Sequence, residues 1–416
     1  MLALAAIDVQ TLDDPGRGTS FLPISMLQRT SLWLMIASSW FVVFEPAPYE
    51  LIFVLVLVLY LAGGMKAHLA LAPLILFLLL YNLGGALSVV QVAQNEKALW
   101  FSFISIYMAV TSLFFAFAVT NDPSGTMRIV RSGWIVAGVF ASITGLIGYF
   151  NVAGMGEAWA PISRAQGTFK DPNVISTFLI PPAMFVIQDI LLKRGGWVLL
   201  KLPALSIICF CLFLAFSRGA WVNFVAAVAL MVGLHFVLTQ STAIRGRIFV
   251  YTVLGVLAAG LALAFALSFE AVREIFVIRF SLQQSYDVGE TGRFGDQFRF
   301  LSLLVVSPNG LGPFEYSKIF SGDPHNVYLN AFAAYGWLGG FSYLLLAIST
   351  IFVGWRTIMS QTPVQVHGLA IFCPLLTTIL QGAQIDTDHW RHFYLLLGLM
   401  WGLYAATLRY EARSTA

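Results

Sequence analysis

Residues 248–268 read IFVYTVLGVLAAGLALAFALS and contain no charged side chain. A membrane-spanning helix needs about 20 predominantly apolar residues, and this segment satisfies that requirement. The rest of the chain has the same character, because 59% of its 416 residues are hydrophobic and only 10% are charged. Ordinary soluble domains carry about 25% charged residues. The sequence therefore predicts an all-α integral membrane protein and excludes a soluble domain.

Further apolar runs on both sides of this segment raise the predicted number of transmembrane helices to about 12. The run that begins at residue 326 is too long for one straight span. We expect residues 335–340 to divide it into a short helix and a tilted spanning helix. The predicted spans are 28–45, 49–63, 69–90, 98–120, 131–150, 173–192, 197–216, 219–239, 248–268, 326–355, 367–385 and 392–409.

The Lys and Arg residues of the short loops fall mainly on one side of these spans, which the positive-inside rule identifies as cytoplasmic. Both termini are then cytoplasmic, with an N-terminal segment over 1–27 and a tail over 410–416. Residues 28–409 are predicted to form a single polytopic membrane domain. Its two longer loops, near 151–172 and 269–325, face outward. A net charge of only +3 gives no reason to expect a nucleic-acid partner.

The outer loop 269–325 interrupts the apolar pattern and holds the residues on which a functional prediction depends. Residues 270–284 fit an amphipathic helix at the membrane interface, and 293–306 return to helical spacing. Turns are expected at 287–292 and at 308–313, where glycines allow a close backbone approach. The loop is therefore expected to contain short interfacial helices joined by turns.

Two arginines and one histidine in this loop suit chemistry on a lipid-borne phosphate. The guanidinium groups of Arg293 and Arg299 match phosphate oxygens, and at about 100° per residue they would lie about 120° apart on their helix. His325 could take a proton from a sugar hydroxyl, because histidine side chains titrate near pH ~6.5. Two alternatives stay open. Asp323 and Asn326 could cap the next helix with His325 in an interfacial turn, and both arginines could be interfacial anchors.

Other outward cations are also candidates. Arg218 lies between two apolar spans with almost no loop, where an arginine is either functional or a headgroup contact. In the first outer loop, Arg164 and Lys170 could contact glycan or phosphate. The neighbouring Asp171 and Asn173 are expected to cap the helix that follows.

The last outer turn, residues 386–392, reads DTDHWRH. It could form an acceptor-binding rim that includes Asp388, Trp390 and Arg391, with the indole stacked on a sugar. Its carboxylates and imidazoles could instead hold a divalent metal, but their spacing matches no strong metal-site pattern, so we expect no metal. The three cysteines lie in apolar spans and are expected to form neither disulfides nor a metal site.

Taken together, these pieces resemble the O-antigen ligase/polymerase superfamily of bacterial membrane glycosyltransferases over roughly residues 30–405. The resemblance is most specific in four places. These are Gly167-Thr168-Phe169 with Asp171-Pro172-Asn173; Ser217-Arg218-Gly219; Gly292-Arg293 with Gly310-Leu311-Gly312; and Pro324-His325-Asn326 with Tyr328-Leu329, Tyr335-Gly336-Trp337 and Gly339.

The resemblance implies a glycan donor on undecaprenyl diphosphate and transfer at the periplasmic face of the bacterial inner membrane, without metal, nucleotide or other cofactor. It assigns Arg218 and Arg293 to the donor diphosphate and His325 to the general base. We add Arg299 as a further candidate diphosphate ligand from its place in the loop. Asn326 and Tyr328, beside the histidine, are candidate glycan or acceptor contacts.

The branch of this superfamily stays open. A ligase transfers a finished glycan to lipid A-core in lipopolysaccharide biosynthesis. A polymerase extends one lipid-linked repeat with another, for O-antigen, capsule or exopolysaccharide, and could work with a chain-length regulator. We take the ligase as the first interpretation and the polymerase as its alternative. A transporter of polysaccharide intermediates is less favoured, because the sequence shows few charges inside the spans and no internal repeat.

Overall fold

The computed structural model describes residues 22–192, 198–280, 292–320 and 322–415. Helices account for 80% of the structure, and the described residues contain no β-strand. Within the same residues, seven helical segments are long and apolar enough to cross a membrane. The prediction of an all-α, multi-pass membrane protein is therefore confirmed.

The helices are numbered here in chain order over the described residues. They are α1 (Leu22–Ala37), α2 (Pro48–Ala62), α3 (Ala72–Val89), α4 (Glu96–Asn121), α5 (Pro123–Tyr149), α6 (Gly156–Trp159), α7 (Pro172–Phe178), α8 (Ile180–Leu192), α9 (Val198–Leu214), α10 (Arg218–Leu238), α11 (Thr242–Leu267), α12 (Glu270–Phe280), α13 (Arg293–Val306), α14 (Tyr316–Ile319), α15 (Val327–Met359), α16 (Gln365–Gln381) and α17 (Arg391–Thr415).

The seven candidate spans correspond to the predicted spans 69–90, 98–120, 131–150, 173–192, 219–239, 248–268 and 326–355. The shorter apolar helices Pro48–Ala62, Lys201–Leu214 and Gln365–Gln381 stand apart from them by length. The predicted span over 28–45 is wrong at its end, because α1 stops at Ala37 and turns and bends follow. The candidate spans are Leu69–Val92, Glu96–Asn121, Pro123–Tyr149, Pro172–Leu192, Arg218–Leu238, Thr242–Leu267 and Val327–Met359.

The chain divides into two compact units. The first unit combines Met1–Gly64 with Gly125–Phe280, and the second combines Met65–Ser124 with Ser281–Ala416. The second unit contains Arg293, Arg299 and His325 from the loop that the sequence marks as functional. Each unit has its own packing.

In the first unit, a charged cluster ties α5, α8 and α9 together. The Arg131 guanidinium lies 2.5 Å from the Asp189 carboxylate and 2.9 Å from the Gln188 amide oxygen. The Lys201 ammonium lies 3.0 Å from the other oxygen of Asp189. Charges within an apolar bundle are tolerated when they are paired, so this cluster stabilises the ends of three helices instead of disrupting them.

In the second unit, α15 packs along α3 and α16, while α17 packs along α4. The two backbones of α3 and α15 approach closely, because a Cβ on Gly84 would lie 2.6 Å from the amide nitrogen of Gly339. The helix α15 is broken at Gly336, which has φ 66° and ψ −164°. The predicted division of this long apolar run is therefore confirmed.

The loop near residues 269–325 follows the predicted pattern where the structure describes it. The helix expected over 270–284 corresponds to α12, with residues 281–284 outside the described ranges. The turn expected at 287–292 also lies outside them, except for Gly292, which precedes α13. The helix expected over 293–306 is confirmed as α13. The tail predicted from residue 410 continues α17, which is helical to Thr415.

Candidate active site

The helix α13 places its two arginines in different surroundings. Arg293 is its first residue and lies one turn before Gln297, so these two side chains share a face of the helix. Arg299 pairs with the buried carboxylate of Asp296, and its guanidinium lies 5.5 Å from the centre of the Phe320 ring. The two cations are therefore not equivalent, as their spacing predicts.

The turn after α13 is fixed on the backbone of α15 at its break. The N–H of Leu311 donates to the carbonyl of Ala333 at 2.7 Å, and the N–H of Trp337 donates to the carbonyl of Pro308 at 2.8 Å. A Cβ at position 336 would overlap that same carbonyl oxygen, and Gly336 also has a positive φ, so only glycine fits there. Two glycine motifs that are distant in sequence thus form one structural joint.

His325 lies in the loop immediately before α15, with an exposed side chain and a left-handed backbone at φ 46°. On one side, the amide of Gln297 donates to the carbonyl of Pro324 at 2.6 Å. On the other side, the N–H of Asn326 donates to the Asp386 carboxylate at 3.1 Å, and the N–H of His325 bonds to the same group. The backbone around the imidazole is therefore held by two separate elements.

The residues after His325 begin α15. Asn326 is the N-cap, and its side-chain oxygen accepts the N–H groups of Tyr328 at 3.1 Å and Leu329 at 3.2 Å. The capping alternative is thus confirmed for Asn326, whereas Asp323 lies before the cap. The Tyr328 hydroxyl donates to the carbonyl of Ile379 at 2.6 Å. Asn326 and Tyr328 therefore have structural bonds, and their contact with a glycan stays a prediction.

The turn between α16 and α17 is anchored by Asp388, which is 3% exposed. Its carboxylate accepts from the Asn330 amide at 3.3 Å and lies 3.2 Å from Nδ1 of His389. The imidazole of His389 stacks on Phe101 at 3.7 Å and lies 3.0 Å from the Phe101 carbonyl through Nε2. Because a carbonyl only accepts, this Nε2 carries the proton. Burial lowers the pKa of His389, but the charge of Asp388 and these bonds raise it above its usual value overall.

The pKa of Asp386 is raised to about 8. Burial is the main cause, and the negative charges of Asp388 and Asp323 raise the pKa further. The N–H groups of Asn326 and His325 oppose this shift, since they favour the ionised carboxylate. The group that holds the histidine loop therefore keeps its proton near neutral pH.

The other residues of the predicted acceptor rim lie at the start of α17. Trp390 is 7% exposed, and its ring packs against the imidazole of His392 with 5.2 Å between ring centres. Arg391 is the first residue of the helix and is partly exposed. Sugar stacking on Trp390 would require a ring face that packing now covers, so it stays a prediction. Among the described residues, no group of three His, Cys, Asp or Glu side chains could hold a metal.

In the first unit, two predicted contact residues have structural partners. Arg164 is 7% exposed and donates to the carbonyl of Ala215 at 2.7 Å and to the side chain of Asn173 at 3.1 Å. Lys170 is exposed and lies 2.9 Å from the carboxylate of Glu45. Arg164 thus joins the loop before α7 to the chain before α10. Contact of either cation with a ligand stays a prediction.

Arg218, also in the first unit, is the first residue of α10. The helix is capped by Ser217, whose hydroxyl accepts the N–H of Ala220 at 3.4 Å. Arg218 is partly exposed, as expected of a cation at a helix end. In the same unit, the predicted cap of α7 is confirmed for Asp171, whose carboxylate accepts the N–H of Asn173 at 2.6 Å. It is wrong for Asn173, which is the second residue of the helix.

Sequence reasoning missed Gln297, and it included Asp386 in the turn 386–392 without its role of holding the loop of His325. A signal for Gln297 exists in the sequence, because it follows Arg293 by four residues and so shares its helical face. No comparable signal exists for Asp386, since its bond to residues 325 and 326 joins distant parts of the chain.

The second unit by itself combines an exposed imidazole with a helix face that starts with an arginine. Such a pair can remove a proton from a hydroxyl and neutralise an anionic leaving group. Comparison of the chain with protein-family models and with curated proteins found no match.

Proposed function

We propose that the chain is a metal-independent membrane glycosyltransferase of the O-antigen ligase type. It moves a glycan from undecaprenyl diphosphate to a hydroxyl group of lipid A-core. One observation carries the proposal: Gln297 donates to the carbonyl of Pro324, the residue before His325, and Gln297 shares its helical face with Arg293. This link connects a base for the acceptor with a cation for the leaving group.

In the proposed reaction, the imidazole of His325 takes the proton of the acceptor hydroxyl as its oxygen attacks the anomeric carbon. The bond from that carbon to the phosphate oxygen breaks, and its electron pair leaves with the lipid diphosphate. Arg293 stabilises the negative charge of the leaving group through its planar donors. Arg218 is a second candidate ligand for the diphosphate. Direct displacement would invert the anomeric centre.

The location of the reaction is part of the proposal. The positive-inside rule supports an inner-membrane protein of about 12 spans with both termini in the cytoplasm and the long loops in the periplasm. A donor carried by undecaprenyl diphosphate would then meet His325 at the periplasmic face, with no need for a nucleotide sugar.

A repeat-unit polymerase is the alternative, because it would use the same donor chemistry with a second lipid-linked glycan as acceptor. A polysaccharide transporter has less support. Transport sites usually lie near the middle of the membrane, whereas His325, Arg293 and Arg299 lie in one loop region between long apolar helices.

The direct test is His325→Ala, assayed with undecaprenyl diphosphate-linked glycan and lipid A-core in detergent. We expect the transfer rate to fall by about 10²–10⁴-fold, because the base is lost. His68→Ala is the matched control, since that histidine caps a short helical turn through its Nδ1 and is not part of the site. A folded His325→Ala protein with the wild-type rate would refute the base assignment.

A further inference from the structure

Tyr316 carries a buried hydroxyl group that no described residue hydrogen-bonds. The residue is 3% exposed, and its ring packs against Phe300 and Phe320 with 5.2 and 4.4 Å between ring centres. The hydroxyl oxygen is buried and has no hydrogen-bond partner among the described residues. Buried polar groups in proteins are nearly always hydrogen-bonded, so a buried hydroxyl without a partner among the described residues is a candidate ligand-binding group.

The surroundings of this hydroxyl are charged. The pKa of Tyr316 is raised to about 12 overall. Burial is the main cause, the carboxylates of Asp296 and Asp386 also raise the pKa, and the Arg299 guanidinium opposes this shift. The hydroxyl therefore lies within the electrostatic reach of the Asp296–Arg299 pair and of the carboxyl group that holds the loop of His325. It keeps its proton at physiological pH and can donate it to an incoming oxygen atom.

The chemistry of this cluster fits a neutral, hydroxylated ligand better than a phosphate. Arg299 is already paired with Asp296, and the buried carboxylate would repel a phosphate oxygen. A sugar hydroxyl can donate to a carboxylate and accept from a tyrosine or a guanidinium at the same time. The side chain of Arg299 is 52% exposed, so a ligand can reach the pair from solvent.

We propose that Tyr316, Asp296 and Arg299 form a subsite for saccharide hydroxyl groups beside His325. The proposal rests on the proposed glycan transfer and refines it, because it assigns Arg299 to the sugar and leaves Arg293 as the diphosphate ligand on α13. The subsite would contribute to the choice of the sugar that is transferred.

Two kinds of probe test this assignment on the purified full chain in detergent. A panel of methyl hexosides and methyl N-acetylhexosaminides, followed by saturation-transfer NMR, reports on the saccharide subsite. Farnesyl diphosphate, which has no sugar, reports on the diphosphate site. Tyr316→Phe keeps the ring packing and removes only the hydroxyl. We expect it to weaken glycoside binding by about three- to tenfold, the effect of one hydrogen bond, and to leave farnesyl diphosphate binding unchanged.

The controls use the same chemical changes elsewhere. Tyr81→Phe removes another buried hydroxyl that has no hydrogen-bond partner among the described residues, and it should leave glycoside binding unchanged. Arg293→Lys keeps the charge but loses the planar guanidinium group. It should therefore weaken the binding of farnesyl diphosphate and leave glycoside binding unchanged.

Each other outcome has a definite meaning. If wild type binds no glycoside, or Tyr316→Phe binds them as wild type does, the hydroxyl serves only a bound water and the subsite is refuted. If Tyr316→Phe weakens the binding of farnesyl diphosphate instead, the cluster is a phosphate site and the saccharide subsite is again refuted. If glycoside binding depends on Tyr316 but wild type does not bind farnesyl diphosphate, the subsite stands and the proposed donor does not.

Discussion

At the scale of single residues, His325 is held in a backbone conformation that it would not adopt by itself. Its φ of 46° is in the left-handed region, which costs a residue with a side chain roughly 1–2 kcal/mol. The bonds of its own N–H and that of Asn326 to Asp386, and the bond from Gln297 to Pro324, offset this cost. The direction of the imidazole therefore depends on side chains from outside the loop.

The carboxyl group of Asp386 should make stability depend on pH. Its pKa is raised to about 8 in the folded chain, whereas an unfolded aspartate titrates near pH ~3.9. Between these values the folded state keeps a proton that the unfolded state releases, so stability falls as pH rises through this window. Asp386→Asn removes the titration and should raise the melting temperature at pH ~8 by about 2–4 °C relative to wild type.

Melting curves in detergent, measured from acid to mildly alkaline pH, check this prediction. The melting temperatures of wild type and Asp386→Asn should become equal at the acid end of the range, where both side chains are neutral. Asp122→Asn is the control, because that residue lies at the end of α4, outside the cluster. If the melting temperatures of wild type and Asp386→Asn change with pH in the same way over the whole range, the raised pKa is contradicted.

At the scale of elements, the joint between the 308–312 turn and the break in α15 positions α13 relative to the loop that contains His325. Gly336 has φ 66° and ψ −164°, a region that is essentially restricted to glycine. Its neighbour in the joint is Gly310, where a Cβ would lie 2.6 Å from the amide nitrogen of Gly336. The contact therefore requires glycine at both positions, 310 and 336.

Gly336→Ala should destabilise the second unit. The unfavourable backbone conformation costs of order 1–3 kcal/mol, and the overlap of the new Cβ with the Pro308 carbonyl adds to this. Gly255→Ala in α11 is the matched control, because a Cβ there would have nothing within 4 Å. Thermal unfolding in detergent should show a lower melting temperature for Gly336→Ala alone. Equal melting temperatures would mean that the joint does not hold the turn.

At the scale of the whole molecule, the described residues combine seven candidate spans with two compact units. The spans differ greatly in how far protein covers them. Only 6% of the apolar window of α11 is buried, compared with 78% for Pro172–Leu192. A helix with so little protein around it is stable only if lipid covers its apolar side chains, which supports a membrane location for the segment 248–268.

The proposed orientation can be tested by cysteine labelling. The three native cysteines, which lie in α9 and α16, are first replaced by serine or alanine. A cysteine at Lys318, whose side chain is 61% exposed, should then react with a reagent that cannot cross the inner membrane. A cysteine at Ser414, which is exposed near the end of α17, should react only after permeabilisation. The reverse pattern would refute both the topology and the periplasmic site.

Local sequence patterns predicted several elements because each depends on neighbours along the chain. The helix Arg293–Val306 follows from helical spacing, the cap at Asp171 from a short side chain before a proline, and the break at Gly336 from a glycine-rich interruption. The two faces of α13 also follow, since four-residue spacing determines which side chains align.

The helical membrane character of this protein and the polar loop near residues 269–325 follow from the amino-acid order alone, because apolar content and helical periodicity are local properties. The organisation of that loop follows from helix packing. Gln297 and Asp386 hold the chain on either side of His325, Arg299 is paired with Asp296, and the hydroxyl of Tyr316 lies near them. These contacts join residues from different helices and turns, so they depend on how the helices pack and on which buried polar groups find partners.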